Sequence, residues 1–230
     1  MKPWQRQEWC LPEVSATFVW RMEDLLDLYA EPHNPARPVV CLDERPVVLR
    51  ADVRPPLPPA PHRPRRRDSE YARCGTACLA VAFEPQRGWR HLIPSQHRTK
   101  RDFAAWLHEL VDVHYPQAET IRLVVDNLTT HTPAVLDEVY PPAEAHRLAR
   151  KLEFHDTPKH GSWLNMVEIE LSVLASTCLD RRIPDLATLA VETAAYAARR
   201  NAAQATVQWR FTTRDARTTL AHLYPVLNPA

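Results

Sequence analysis

Three acidic positions carry the chemistry that this sequence can support. Asp43 ends the apolar run PVVCLD, Asp126 ends a second one, RLVVD, and the stretch WLNMVEIE offers a third acid. An acid on an apolar strand is costly unless it is paired or bound to a cation. Two such acids converging with a third from a helix make an oxygen-only cage, the donor set that suits Mg²⁺. Each acid taken alone reads more simply as a cap, a turn residue or a surface charge. The set of three on one sheet edge is what points to a site. Its third member is open between two glutamates. On a helix Glu168 shares a shoulder with Leu164, Leu171 and Ala175, whereas Glu170 lies on the other shoulder near Met166 and Leu174. The first arrangement favours Glu168 slightly, and periodicity alone does not decide.

The elements that would position these acids follow from apolar spacing and from 22 prolines that punctuate the chain. Residues 14–32 have helical spacing, with Phe18, Met22, Leu25, Leu26 and Tyr29 on one side and Pro32 as the stop. Residues 38–50 read as a short strand ending at Asp43, followed by a second extended piece. RPPLPPAPHRPRRR (54–67) cannot build a core and reads as an exposed, extended loop. Two strands joined at Pro85–Gly88 span 75–94, and 99–116 is the clearest amphipathic helix. A strand at 120–126, a helix through 141–152, a strand at 151–156 and the loop TPKHGSWL then lead into the helix bearing the glutamates. Helices at 183–202 and 212–225 close the chain. In that loop, Gly161 is expected to supply turn freedom, with Trp163 and Leu164 anchoring the helix on the core. The order of elements is an α/β pattern with an antiparallel start and a more parallel finish.

Composition narrows the class. A chain of 230 residues, 45% hydrophobic and 25% charged, fits one sizeable domain with extensions. The divisions fall at 1–37 (a helical entry segment and linker), 38–180 (the central domain) and 181–230 (a C-terminal helical extension packed on it). A net charge of +1 makes any basic surface a local one. The five cysteines form no CxxC pair, and Cys74 and Cys78 read as buried free thiols on one strand face. There is no apolar run of ~18 residues and no signal-peptide pattern, which argues for a cytoplasmic protein with no membrane partner.

DERP after one apolar strand, VVDNLTTH after another and TPKHGSWLNMVEIE ahead of a helix together resemble the DDE transposases of bacterial insertion sequences. More narrowly, they are similar to the mariner-type branch, the DDE superfamily endonucleases, over nearly the whole chain from Lys2. The resemblance implies an α/β, ribonuclease-H-like mixed sheet flanked by helices, and two-metal phosphoryl transfer on DNA with Mg²⁺ or Mn²⁺. It implies Asp43, Asp126 and Glu168 as the catalytic, metal-holding acids, with Asn127, His131 and Asn165 beside them rather than as ligands. His155 and His160 are not read as ligands, because such a metal prefers oxygen. Hydrolysis by an activated water needs no side-chain nucleophile, which agrees with the lack of a GxSxG-like or Cys–His signature.

DNA is the implied partner, both as element ends and as target, with a homodimer bridging two ends and a nucleoid-associated location in a bacterium. Arg63, Arg65, Arg66 and Arg67 in HRPRRR, and Arg98, Lys100 and Arg101, are the candidate phosphate contacts, though either stretch reads equally as solvated surface. Nothing before Val14 is long enough for the helix-turn-helix that such proteins usually carry, so the chain reads as a catalytic half. The 42 residues between Asp126 and Glu168 are more than the wider superfamily usually has, and the excess is placed in an added helix at 141–151 off the sheet edge. Arg45 sets a bulky cation beside the acids, where it would compete with a metal. The leading reading is a metal-dependent DNA nuclease and strand transferase. The alternatives are a catalytically idle DNA-binding or regulatory remnant, and another ribonuclease-H-like nuclease such as a resolvase or RNA–DNA hybrid nuclease.

Overall fold

The computed structural model of the protein describes residues 15–126 and 132–225. A five-stranded sheet forms its centre, built from β1 (Val39–Asp52), β2 (Tyr71–Glu84), β3 (Trp89–Ser95), β4 (Ile121–Val125) and β5 (Leu152–Asp156) in the order β3-β2-β1-β4-β5. β1, β2 and β3 pair antiparallel, and β1–β4 and β4–β5 pair parallel. This is the antiparallel start and parallel finish that the order of elements predicts, and the mixed sheet that the resemblance implies.

Helices cover both faces. α1 (Ala16–Ala30), α5 (Val167–Thr177), α6 (Leu186–Ala202) and α7 (Thr213–Thr219) pack on one, through Met22, Leu25, Leu171, Leu189 and Ala216. α2 (Lys100–Glu109), a π-helical turn (Leu110–His114), α3 (Ala134–Val139) and α4 (Pro142–Ala149) cover the other, through Phe103, Leu107, Leu110, Leu136 and Leu148. Strand alternation divides β1 between them: Val39 and Cys41 face α5, and Val40 and Leu42 face α2. Burial on both sides explains why β4 is apolar or buried at every position rather than alternating.

Several boundaries differ from the sequence reading for local reasons. β1 is one continuous strand through Pro46, not two pieces. Pro46 falls where β1 has passed the end of β4 and pairs with β2 alone, so its missing N–H breaks no ladder on the other side. The 54–67 stretch is exposed as expected, and it also pairs with itself across Leu57–Arg66 and Ala60–Arg63, extending the β1–β2 ribbon. Cys74 is exposed and Cys78 half-buried rather than both buried, because the first six residues of β2 lie beyond the cover of the helices. The helix at 141–151 is no addition off the edge. As α4 it follows α3 in the crossover that a parallel β4–β5 pair requires, and Ala145 and Leu148 are buried in the core. The final helix is shorter than 212–225, ending at Thr219 before a 3₁₀ turn.

One charge network centred on a buried carboxylate ties α5 and α6 to the sheet. Glu170 on α5 and Arg90 on β3 have side chains 1% and 0% exposed, with Arg90 Nε 2.9 Å from Glu170 Oε1. Tyr196 Oη donates to the same carboxylate at 2.6 Å and Arg200 Nη2 at 2.8 Å. Removing one partner strands the other as an uncompensated buried charge. Glu170→Ala should therefore lose about 3–5 kcal/mol of unfolding free energy, read from urea denaturation. A loss below about 1 kcal/mol would mean that water reaches Arg90.

Candidate active site

Asp43 and Asp126 are brought together by strand register. β1 and β4 pair in parallel with Val39 opposite Arg122, Val40 opposite Leu123 and Cys41 opposite Val124. The same offset carried two residues on sets Asp43 beside Asp126, where the ladder ends and the strands diverge. Asp43 shares the face of Cys41, the face on which α5 packs. The carboxylate of Asp126 accepts from Thr157 Oγ1 at 3.1 Å, and the Thr157 N–H donates to the Val125 carbonyl at 2.9 Å. Asp43 Oδ1 accepts from the Glu44 N–H at 2.7 Å.

The stretch 157–168 delivers Glu168 to this corner. Asn165, 1% exposed, donates from Nδ2 to the Leu42 carbonyl at 2.9 Å, one residue before Asp43. Its Oδ1 accepts from the Val167 N–H at 3.3 Å, and its carbonyl accepts from the Glu168 N–H at 3.1 Å. Tyr29 Oη donates to the Leu164 carbonyl at 2.7 Å. The first turn of α5 is thus attached both to β1 and to α1. Of the two glutamates left open by periodicity, Glu168 is half-buried on the side of the aspartates, and Glu170 belongs to the Arg90 network.

Two expectations for this loop are corrected. Gly161 has an ordinary φ of −112°, so it supplies no left-handed turn; His160 does, at φ 63°. Glycine is needed at 161 for space, because a Cβ there would lie 2.5 Å from Pro158 Cγ. Trp163 is not a core anchor. It is 45% exposed and stacks on Trp209, with ring centroids 6.4 Å apart, while Leu164 alone is buried.

The electrostatics show three acids pressing on one another. Burial, then the charges of Asp126, Glu168 and Glu44, push the Asp43 carboxyl up to about 7, against the opposing Glu44 N–H. Glu168 is raised by burial and by Asp126, and the charge of Arg45 acts in the other direction. A set of half-buried oxygens repelling one another is the environment a divalent cation offsets, so the residues fit such an ion. They do not close on one point as a single-ion cage would. Among the described residues, the three-residue groups whose ligand atoms lie within 4.8 Å of one another are two others, His91–Glu109–His114 and His108–Asp112–Glu144.

The remaining candidates are dispersed. Arg63, Arg65, Arg66 and Arg67 are all exposed on the self-paired loop beyond β1 and β2. Arg98 Nε lies 2.6 Å from Glu44, Lys100 Nζ lies 2.6 Å from Glu138, and Arg101 is exposed. Asn127 and His131 lie outside the described residues. Thr157 and Tyr29, which hold the site's supports, were missed by sequence reasoning; a threonine after a strand and a tyrosine on an amphipathic helix carry no signal of such contacts. Among the described residues no helix is long and apolar enough to cross a membrane.

Comparison with other proteins agrees with this architecture. The family model for DDE superfamily endonucleases matches residues 38–190. No curated protein matches the chain. Among solved structures, the Mos1 mariner paired-end complex with Mn is similar at 15% identity and a TM-score of 0.54, over 84% of this chain and 59% of that one. The Mos1 strand transfer complex is similar at 12% identity and a TM-score of 0.57, over 97% and 66%. The paired-end complex with Mg gives 14% and 0.56, over 97% and 67%. The likeness to these three is one of fold, and the chain spans between 59% and 67% of their length.

The raised carboxyl of Asp43 makes a pH prediction. A native group held above its unfolded value of 3.8 keeps a proton that the unfolded chain has released, so stability falls as pH rises from about 4 to about 7. In chelator-treated protein, Asp43→Asn should raise the melting temperature above pH 7 and lose that advantage toward pH 4. A difference that stays flat across the range would mean that Asp43 is solvated and uncoupled from Asp126.

Proposed function

This chain belongs to the DDE superfamily endonucleases, and on that premise we propose that it is the catalytic part of a DNA transposase. It would hydrolyse phosphodiesters at the ends of a bacterial insertion sequence and transfer the freed 3′-OH ends into target DNA. The observation that carries the reading is the corner where β1 and β4 part, with Asp43 and Asp126 side by side and Glu168 facing them from α5.

Asp43, Asp126 and Glu168 would hold divalent ions, Mg²⁺ or Mn²⁺. Their spread, wider than a single-ion cage, suits two ions rather than one. Bound there, the ions supply an activated water and stabilise the leaving oxygen. The chain's own work is placement. Asn165 keeps α5 against β1 so that Glu168 stays opposite the aspartates, and Thr157 orients the Asp126 carboxylate. Arg45, which opposes the upward shift of Glu168, helps keep that acid ionised, the form a cation needs.

DNA is the partner in this reading. The four arginines at 63–67 offer phosphates an exposed basic edge, whereas Arg98 and Lys100 are engaged with Glu44 and Glu138 and form the weaker candidate surface. Relatives of this fold solved as paired-end and strand transfer complexes support work on two ends by a homodimer. A cytoplasmic, nucleoid-associated location in a bacterium follows from the substrate.

The test is nicking of labelled plasmid with Mn²⁺ by the wild type and by Glu168→Gln. Cleavage by the wild type, reduced to background in the variant, is expected. A folded wild type that binds Mn²⁺ and leaves the plasmid intact over a range of salt would replace this reading with that of an idle, DNA-binding remnant.

A further inference from the structure

We propose that His91, Glu109 and His114 form a binding site for one divalent transition-metal ion of the zinc class, separate from the carboxylate corner. His91 stands on β3, Glu109 ends α2 and His114 ends the π-helical turn. His91 Nε2 lies 3.0 Å from Glu109 Oε1, and His114 Nε2 lies 3.3 Å from the same oxygen. The ligand atoms of all three residues fall within 4.8 Å of one another.

The backbone is shaped for this meeting. In an α-helix, residues five apart point to different sides, because a turn takes 3.6 residues. The π turn closes with the Tyr115 N–H donating to the Leu110 carbonyl at 2.9 Å, and the wider turn brings Glu109 and His114 to one side. Tyr115 pins the end of that turn by donating from Oη to the buried Glu84 carboxylate at 2.9 Å. Trp89 packs against both imidazoles, with centroids 6.2 Å from His91 and 4.9 Å from His114, which holds the rings in place.

A second observation points into the same spot. His91 Nε2 is buried and makes no hydrogen bond despite its closeness to Glu109. A buried ring nitrogen that faces a carboxylate without hydrogen-bond geometry costs free energy that a coordinated ion would recover. Two imidazoles and one carboxylate are a donor set for Zn²⁺, with a fourth position left to solvent; Mg²⁺ prefers oxygen alone. The half-exposed Glu109 carboxylate leaves a way in. The neighbouring His108–Asp112–Glu144 group makes the contrast: the Arg147 guanidinium already lies 2.7 Å from Asp112 and 2.6 Å from Glu144.

The site is also distinct in position. Asp43 pairs with Val81, and Val81 with Leu92, so His91 stands two strands from the carboxylate corner. It projects on the α2 face, because its neighbour Leu92 is buried on the α5 face. An ion there would clip the edge strand β3 to the end of α2.

Co²⁺ titration of the purified chain in excess Mg²⁺ tests the proposal through visible absorption. The expected result is one Co²⁺ per chain, with the bands of nitrogen and oxygen ligation and no thiolate charge-transfer band. Binding should be at least about tenfold weaker in His114→Gln and in His91→Gln, and unchanged in Asp43→Asn. His114→Gln, on the more open turn, keeps the test valid should His91→Gln fail to fold. No Co²⁺ bound by the wild type, equal binding by a folded His114→Gln, or loss of binding in Asp43→Asn would each overturn the assignment.

Discussion

Three carboxylates repel one another, so the backbone beneath them has to be held by bonds in which the charges take no part. Here that hold is the short parallel pairing of β1 with β4, together with the Asn165 amide on the Leu42 carbonyl. The first sets the separation of Asp43 and Asp126, and the second sets the distance of α5 from both. Neither bond involves an acid, and both lie within the buried layers. Burial does two things at once: it protects these neutral bonds from competing water, and it raises the carboxyl groups it surrounds. A site that is uncomfortable without cations is the direct result of a scaffold that ignores that discomfort.

The same logic explains how the two glutamates of α5 part company. They are two positions apart on a helix and therefore point in different directions. One meets the aspartates, and the other meets Arg90, Arg200 and Tyr196 in a network whose carboxylate is buried. Identical side chains acquire opposite duties because one is left short of cations and the other is supplied with two.

Much of this was legible from residue order. Asp43 and Asp126 announced themselves because each ends an apolar run, and the antiparallel start and parallel finish of the sheet followed from where loops and helices fell. The choice between Glu168 and Glu170 was not legible, because the partner that removes Glu170 is an arginine on β3, 80 residues away in sequence. Gly161 and Trp163 were misread for a related reason. Glycine was credited with a backbone angle when its role is to make room for Pro158, and an aromatic was credited with burial when it stacks from the solvent side on the half-buried Trp209. Periodicity reports which face a residue occupies. It does not report how much protein covers that face, which is also why Cys74 emerged exposed.

The long β1–β2 ribbon has a mechanical side. The ten residues from Asp43 to Asp52 lie beyond the last rung with β4, at Cys41, and make roughly 30 Å of two-stranded beam. Unsupported, such a beam would magnify every degree of rotation at its root into about half an ångström at its end. It is propped instead: the Arg50 N–H donates to the Ile183 carbonyl at 2.8 Å, and Arg182 reaches Asp52 at 2.6 Å and the Asp68 carbonyl at 2.7 Å. With root and far end both clamped, bending is confined to the arginine-bearing tip. The acids at the root are mechanically isolated from whatever pulls on it.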